Sequence, residues 1–266
     1  MPHAHETMPV LFIGHGSPLN LVLENGFTRS LAKLGRTLPR PKAILVVSAH
    51  WLTKGTFVTC EEKPQTIYDF FGFPDELYSL QYPSPGAPAE ARLVRECVRG
   101  AAVSCGNRGL DHGAWAVLRH MYPDADIPVM EMSLDYTFDE RHPKPLSYHY
   151  ELARELSGLR KQGVLIIGSG NIVHNLGRLD YENIDAAAFD WAAEFDEAVK
   201  ADLLSRRHDA LLRTPDRGPS RLAVPTLDHY LPLIYAIALQ KKDEPLTFIH
   251  EGFQYGSVSM RCFRIG

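Results

Sequence analysis

The residues best placed to do chemistry in this chain are histidines that follow short apolar runs. Pro9-Val10-Leu11-Phe12-Ile13 leads into Gly14-His15-Gly16, and Ala43-Ile44-Leu45-Val46-Val47 leads into Ser48-Ala49-His50. Val164-Leu165-Ile166-Ile167 leads into Gly168-Ser169-Gly170-Asn171, with His174 just beyond. A fourth histidine, His229, lies in Pro225-Thr226-Leu227-Asp228-His229, which reads as a loop feeding a helix through a Thr or Asp N-cap. Neutral imidazole is the commonest protein ligand for zinc and also suits iron, and catalytic sites leave coordination positions open for water or substrate. Four histidines suffice for one divalent ion and a base. The expected chemistry is therefore metal-assisted, with His15 and His50 as the leading ligands.

Other motifs test poorly. Gly168-Ser169-Gly170 is not the G-x-S-x-G nucleophile elbow, because position 167 is Ile. As a dinucleotide fingerprint it lacks the third glycine, Val173 standing there instead. No G-x-x-x-x-G-K-[ST] and no H-E-x-x-H occurs.

The elements that must carry these residues follow from hydrophobic pattern. Short buried strands are expected at 9–13, 43–47, 56–60, 128–134 and 164–167, with helices at 27–38, 88–100, 113–120, 147–159, 190–213 and 230–239. Pro215 and Pro219 are expected to end the helix over 190–213. Residues 247–253 and 257–265 alternate like two antiparallel strands around Tyr255-Gly256. The stretch Tyr68-Asp69-Phe70-Phe71-Gly72-Phe73-Pro74 reads as a loop, either the roof of a pocket for a flat ring or local core. The fold class is α/β: a single domain with a central, mostly parallel or mixed sheet flanked by helices and a metal site at strand C-terminal ends. Parallel strands joined through helices emerge on one side, which gathers His15, His50 and His174 in one crevice. His229 joins them only if its loop returns to that edge.

Composition sets the limits. With 266 residues, 45% of them hydrophobic and 23% charged, the chain can bury a sizeable core, and no Ser/Gly-rich linker or like-charge block divides it. We expect a poorly ordered tail over 1–8, in which His3 and His5 are not read as ligands, followed by one catalytic domain over 9–266. A formal net charge of -4 argues against a nucleic-acid partner. The start lacks the features of a signal peptide, and no stretch approaches a membrane span. The four cysteines, Cys60, Cys97, Cys105 and Cys262, include no C-x-x-C pair and read as free thiols, which fits a cytoplasmic protein. A monomer or small homo-oligomer is expected.

Six motifs occur in order: Gly14-His15-Gly16-Ser17-Pro18, Ser48-Ala49-His50-Trp51, the Tyr68–Pro74 stretch, Asp111-His112-Gly113-Ala114-Trp115, Gly168-Ser169-Gly170-Asn171 with His174-Asn175, and Asp228-His229-Tyr230-Leu231-Pro232. With them the chain resembles the extradiol DOPA 4,5-dioxygenase family of class III extradiol ring-cleaving dioxygenases, related to the protocatechuate 4,5-dioxygenase catalytic subunit, over nearly its whole length. The resemblance implies that His15, His50 and His229 are metal ligands and that His174 is the acid–base and a candidate fourth ligand. It implies that His112 contacts substrate or oxygen; its alternative is a helix-start histidine satisfied by backbone. One divalent metal per chain is implied, Fe(II) for dioxygenase activity, with Zn(II) as the alternative or as-purified ion. The substrates implied are a small aromatic diol, L-DOPA or another catechol, and O2. The third ligand departs from the usual two-histidine, one-carboxylate set, which removes a negative charge from the metal. A zinc-dependent hydrolase and a non-enzymatic binding protein that keeps the fold are the competing readings. The residues that hold the substrate's side chain stay unassigned.

Overall fold

The apolar runs rich in Val, Ile and Leu become the inner strands of one large sheet, as β-branched residues buried on both faces favour. The computed structural model describes residues 7–136, 144–213 and 220–266. Its strands are β1 Val10–Gly14, β2 Ala43–Thr53, β3 Thr56–Thr59, β4 Val103–Gly106, β5 Val129–Asp135, β6 Val164–Gly170, β7 Leu246–His250, β8 Phe253–Gln254, β9 Val258–Ser259 and β10 Cys262–Ile265. Its helices are α1 Gly26–Thr37, α2 Asp75–Ser79, α3 Pro88–Cys97, α4 His112–Met121, α5 Leu146–Glu155, α6 Ser157–Arg160, α7 Asp190–Leu204, α8 His208–Leu211, α9 Ser220–Ala223 and α10 Leu231–Ala238. Eight strands form one sheet in the order β4-β3-β5-β2-β6-β1-β10-β7, and β8 and β9 pair as a separate hairpin. The central strands β5, β2, β6 and β1 are parallel, and β10 and β7 add antiparallel at the β1 edge.

Alternation along the strands divides the core into two layers. Leu11, Ile13, Ile44, Val46, Leu165 and Ile167 pack with Leu31 and Leu34 of α1 and Trp115 and Leu118 of α4. Val10, Phe12, Leu45, Val47 and Ile166 pack with Leu152 of α5, Val199 of α7 and Ile234 of α10. Each such side chain, fully withdrawn from water, contributes roughly 1.5–3 kcal/mol. Both faces of the sheet are thus covered, the mixed α/β architecture expected. No helix of the described residues is long and apolar enough to cross a membrane.

Several sequence expectations need correction. The helix over 190–213 breaks: α7 stops at Leu204, Arg206 takes a φ of 53° and α8 starts afresh at His208. The Arg206 guanidinium, bonded to the carbonyls of Lys241, Lys242 and Glu244, holds that break, so a tertiary contact overrides the helical pattern. Pro215 and Pro219, proposed as its end, lie outside the described residues, as do His3 and His5. Of the expected tail, Met8 is buried, and its carbonyl accepts from Arg160. Strand β4 escaped notice because it is four residues long with an exposed centre.

The cysteines are not all free. Cys60 and Cys105 form a disulfide, leaving Cys97 and Cys262 as thiols. The cause is strand pairing: β3 and β4 run parallel with Val58 opposite Cys105, which brings the Cys60 and Cys105 Cα atoms to 5.6 Å. That spacing suits a disulfide. The reading of all four cysteines as free thiols is thereby corrected.

Between α5 and α10, His149 is fully buried, with Nδ1 3.2 Å from the Tyr235 hydroxyl and Nε2 without a partner. Burial pulls its imidazole down to about 4. The unfolded chain, with histidine near ~6.5, therefore binds a proton that the folded chain refuses between those two values. The sign follows: stability is lost as pH falls through that window, by about 2 kcal/mol at pH ~5 for this one group. In urea unfolding, His149→Gln should flatten the fall in stability between pH ~7 and ~5 relative to wild type. An unchanged slope would assign that dependence to other groups.

Candidate metal centre

Adjacent parallel strands do the first part of the assembly. Strands β2, β6 and β1 lie side by side, so their C-terminal ends deliver His50, His174 and His15 to one edge of the sheet. His15 is the first residue past β1 and His174 the fourth past β6. His50 does not lie past its strand, as the sequence suggested, but within it, because β2 runs on to Thr53. Its pairing with β5 shifts register between Val47 and Leu52, which frees Ser48–Trp51 from that ladder.

His229 arrives from α10, and the Gly168-Ser169-Gly170 segment admits it. A Cβ on Gly170 would lie 2.3 Å from the His229 carbonyl oxygen, and one on Gly168 would lie 2.2 Å from that of Pro232. Without those side chains the backbone around His229 rests directly on β6, and the Asn171 amide donates to the His229 carbonyl at 2.9 Å. Ser169, whose side chain alternates to the opposite face, meets His15 instead. The segment that failed as a nucleophile elbow therefore serves as a docking surface.

The ring nitrogens sort themselves into partnered and free. The Ser169 hydroxyl donates to the Gly113 carbonyl at 2.5 Å. Having one proton, that hydroxyl must accept at its 3.0 Å contact with His15 Nδ1, which makes Nδ1 the N–H and leaves Nε2 a lone pair. His229 Nδ1 donates to Asp228 Oδ2 at 2.5 Å, and His229 Nε2 is buried with no partner. His50 Nδ1 faces Asp69 Oδ2 at 3.4 Å, while its Nε2 lies 3.1 Å from His15 Nε2. One ligating atom from each of His15, His50 and His229 falls within 4.8 Å of the others. Metal–nitrogen bonds of about 2.0–2.1 Å place two ligand nitrogens roughly 2.9–3.4 Å apart across angles between 90° and tetrahedral. The His15–His50 separation fits that range, and the orphan nitrogen of His229 completes a set of three with positions left open. Burial first, then the neighbouring histidines, holds His15 and His50 well below the ordinary imidazole value, hence neutral.

Carboxylates supply the negative charge that this set lacks. Burial works against both, yet the His229 hydrogen bond draws Asp228 down to about 2, and the His112 hydrogen bond holds Asp69 below the ordinary carboxylate range. The sequence offers Thr226 or Asp228 as the helix cap, but Tyr230 occupies the α10 N-cap position, where its side chain makes no capping bond, and Asp228 turns to His229. Asp69 and Ser169 were missed altogether. A carboxylate directly before a candidate ligand was the signal available for Asp228.

The remaining histidines lie against the cluster. His112, the first residue of α4, has its ring 4.1 Å from that of His50 and its Nδ1 3.0 Å from Asp69 Oδ1. His174 stacks on His229 with centroids 3.5 Å apart and planes 9° from parallel. It groups with Asp228 and His229 rather than with the set of three. Behind them Asp111 caps α4 and accepts from Ser48 at 2.8 Å. Buried Glu131 accepts from the Asp111 amide; burial, then the Asp111 charge, raises its carboxyl well above the ordinary range. In the aromatic loop Phe70 packs as local core against Trp115 and His112, whereas Phe71 is 91% exposed and roofs nothing.

Asp228→Asn should weaken Zn(II) or Co(II) binding by about ten- to a hundredfold while leaving far-UV circular dichroism unchanged, because the carboxylate fixes the tautomer of His229. Competition against a chromophoric chelator measures this. Affinity equal to wild type would remove Asp228 from the metal centre.

Comparison with known proteins bears on the same residues. The family described as the catalytic LigB subunit of aromatic ring-opening dioxygenase matches residues 4–261. The 4,5-DOPA dioxygenase extradiol of Escherichia coli (strain K12) is 45% identical over 264 residues, 97% of this chain and 95% of that protein. The 4,5-DOPA dioxygenase extradiol of Beta vulgaris is 34% identical over 261 residues, 95% of this chain and 94% of that one. A crystal structure of an uncharacterized protein from Escherichia coli K12 aligns with a TM-score of 0.83 at 42% identity, covering 97% of this chain and 100% of that chain. The family match spans every histidine of the cluster, and this chain belongs to the family of the catalytic LigB subunit of aromatic ring-opening dioxygenase.

Proposed function

We propose that this extradiol dioxygenase holds one divalent metal on His15, His50 and His229 and opens the ring of a catechol beside its two hydroxyl groups, with His174 as acid–base. The convergence of three imidazole nitrogens, with His15 and His229 fixed through Nδ1 and His50 turned toward Asp69, is the observation that carries this reading. Held on these three nitrogens, ferrous iron would supply the redox chemistry that ring opening by dioxygen needs, whereas zinc, without redox chemistry, would fill the same nitrogens and support no ring opening. The overall reaction balances without an outside reductant: both atoms of dioxygen enter the product as the ring carbon–carbon bond next to the diol breaks. The names of the relatives make L-DOPA the first catechol to try.

The chain's own task is to place and move protons. His174 lies one ring thickness from the ligand His229 and is anchored through its backbone, its amide donating to the Ala223 carbonyl at 2.9 Å. From there, outside the set of three, His174 would take a proton from the second catechol hydroxyl and return one as the ring opens. His112, braced by Asp69 and by the edge of Phe70, approaches from the side of His50. It faces substrate or oxygen.

Anaerobically iron-loaded protein should consume oxygen with L-DOPA or simple catechols and yield a yellow ring-opened product, and zinc-loaded protein should not. His174→Ala should keep its metal and lose about 10²–10⁴-fold in turnover, the usual worth of a general acid–base. His50→Ala should lose the metal itself. Silence across a catechol panel with iron verified in the site would sink the proposal, and equal metal loss in both variants would make His174 an obligate ligand.

A further inference from the structure

The aromatic loop delivers one charged group to the metal centre, and its own packing shows how firmly. Trp115 Nε1 donates to the Ile67 carbonyl at 2.9 Å, the Ile67 amide donates to the Leu110 carbonyl at 2.8 Å, and the Tyr68 hydroxyl donates to the Leu80 carbonyl at 2.7 Å. Phe70 is buried between Trp115, Tyr78 and Phe73. Asp69, held between Tyr68 and Phe70, is thus fixed on both sides.

Its two oxygens serve different histidines. Oδ1 accepts from the His112 backbone amide at 2.9 Å and lies 3.0 Å from His112 Nδ1. Oδ2 is buried without a hydrogen-bond partner and faces His50 Nδ1 at 3.4 Å. We infer that Asp69 is a positioning residue that keeps the proton of His50 on Nδ1, so that Nε2 stays a lone pair for the metal, while holding His112 against the same centre. The inference rests on His50 being a ligand. It matters most in a site whose three ligands are all neutral, because outer carboxylates bonded to ligand imidazoles raise their basicity and supply the missing charge.

Two substitutions separate this role from simple anchoring of the loop. Asp69→Asn keeps an oxygen for the His112 amide but turns an N–H toward the N–H of His50, so His50 must move its proton to Nε2 or turn away. Asp69→Ala removes the bond to His112 yet lets water satisfy His50 Nδ1. The test is Co(II) binding, read by chelator competition and by the visible spectrum of the bound ion, which requires no dioxygenase activity and so can fail without touching the proposed reaction. D69N should bind about ten- to a hundredfold more weakly than wild type, with shifted Co(II) bands, and more weakly than D69A. An anchoring role predicts the opposite order. Wild-type affinity and spectrum in D69N would overturn the inference, as would D69A, folded or not, binding more weakly than D69N.

Discussion

Three imidazole lone pairs directed at one another in a buried space repel, and water has little room to relieve them. Such an arrangement costs free energy until a cation accepts all three, so its persistence in the fold must be enforced from outside the cluster. Two histidines are hydrogen-bonded at the nitrogen facing away from the centre, His15 to Ser169 and His229 to Asp228, and the third, His50, turns that nitrogen to Asp69 at 3.4 Å. Those partners are themselves fixed by strand β6, by the α10 approach and by the aromatic loop. The layout of the molecule near this edge is the consequence of keeping three nitrogens bare.

Charge completes that argument. A divalent ion on three neutral ligands keeps its full charge, and a low-dielectric setting magnifies the imbalance. Asp228 is hydrogen-bonded to His229 and Asp69 faces His50 at 3.4 Å, and both remain anionic despite burial. Under the proposed assignment, the carboxylate of the usual facial triad is replaced by carboxylates that stand behind the imidazoles. Charge can still reach the metal through the imidazoles, while the oxygen ligand itself is absent.

What could be seen in the sequence was set by local pattern. Strands β1, β2 and β6 were legible because four or five consecutive apolar residues end abruptly in small polar ones, and the parallel-sheet rule then gathers His15, His50 and His174. The continuation of β2 through His50 is not legible, since Ser48-Ala49-His50-Trp51 has no strand alternation, pairs with β6 only at Ser48 and rejoins the β5 ladder only at Leu52. His229 is a candidate from its loop alone but becomes a ligand only through family resemblance: its place depends on a backbone contact with Asn171 across 58 residues of sequence, which no periodicity encodes. Asp69 was hidden for the same reason. Its neighbour Phe70 reads equally as a roof for a flat ring, and the burial of that ring instead anchors the carboxylate beside it.

The nitrogen set does not by itself choose the ion. Affinities for divalent metals at such sites follow an order in which zinc exceeds ferrous iron, so three imidazoles favour the ion that cannot do redox chemistry. Selectivity for ring opening must therefore come from metal supply and from groups that matter only once iron, diol and dioxygen meet. His174 and His112 are the residues placed for that second role: one stacks on His229 and the other crosses His50, so they approach the centre from beside two different ligands. Under the proposed assignment such a site separates holding a metal, the task of His15, His50 and His229, from using it, the task of two histidines outside that set.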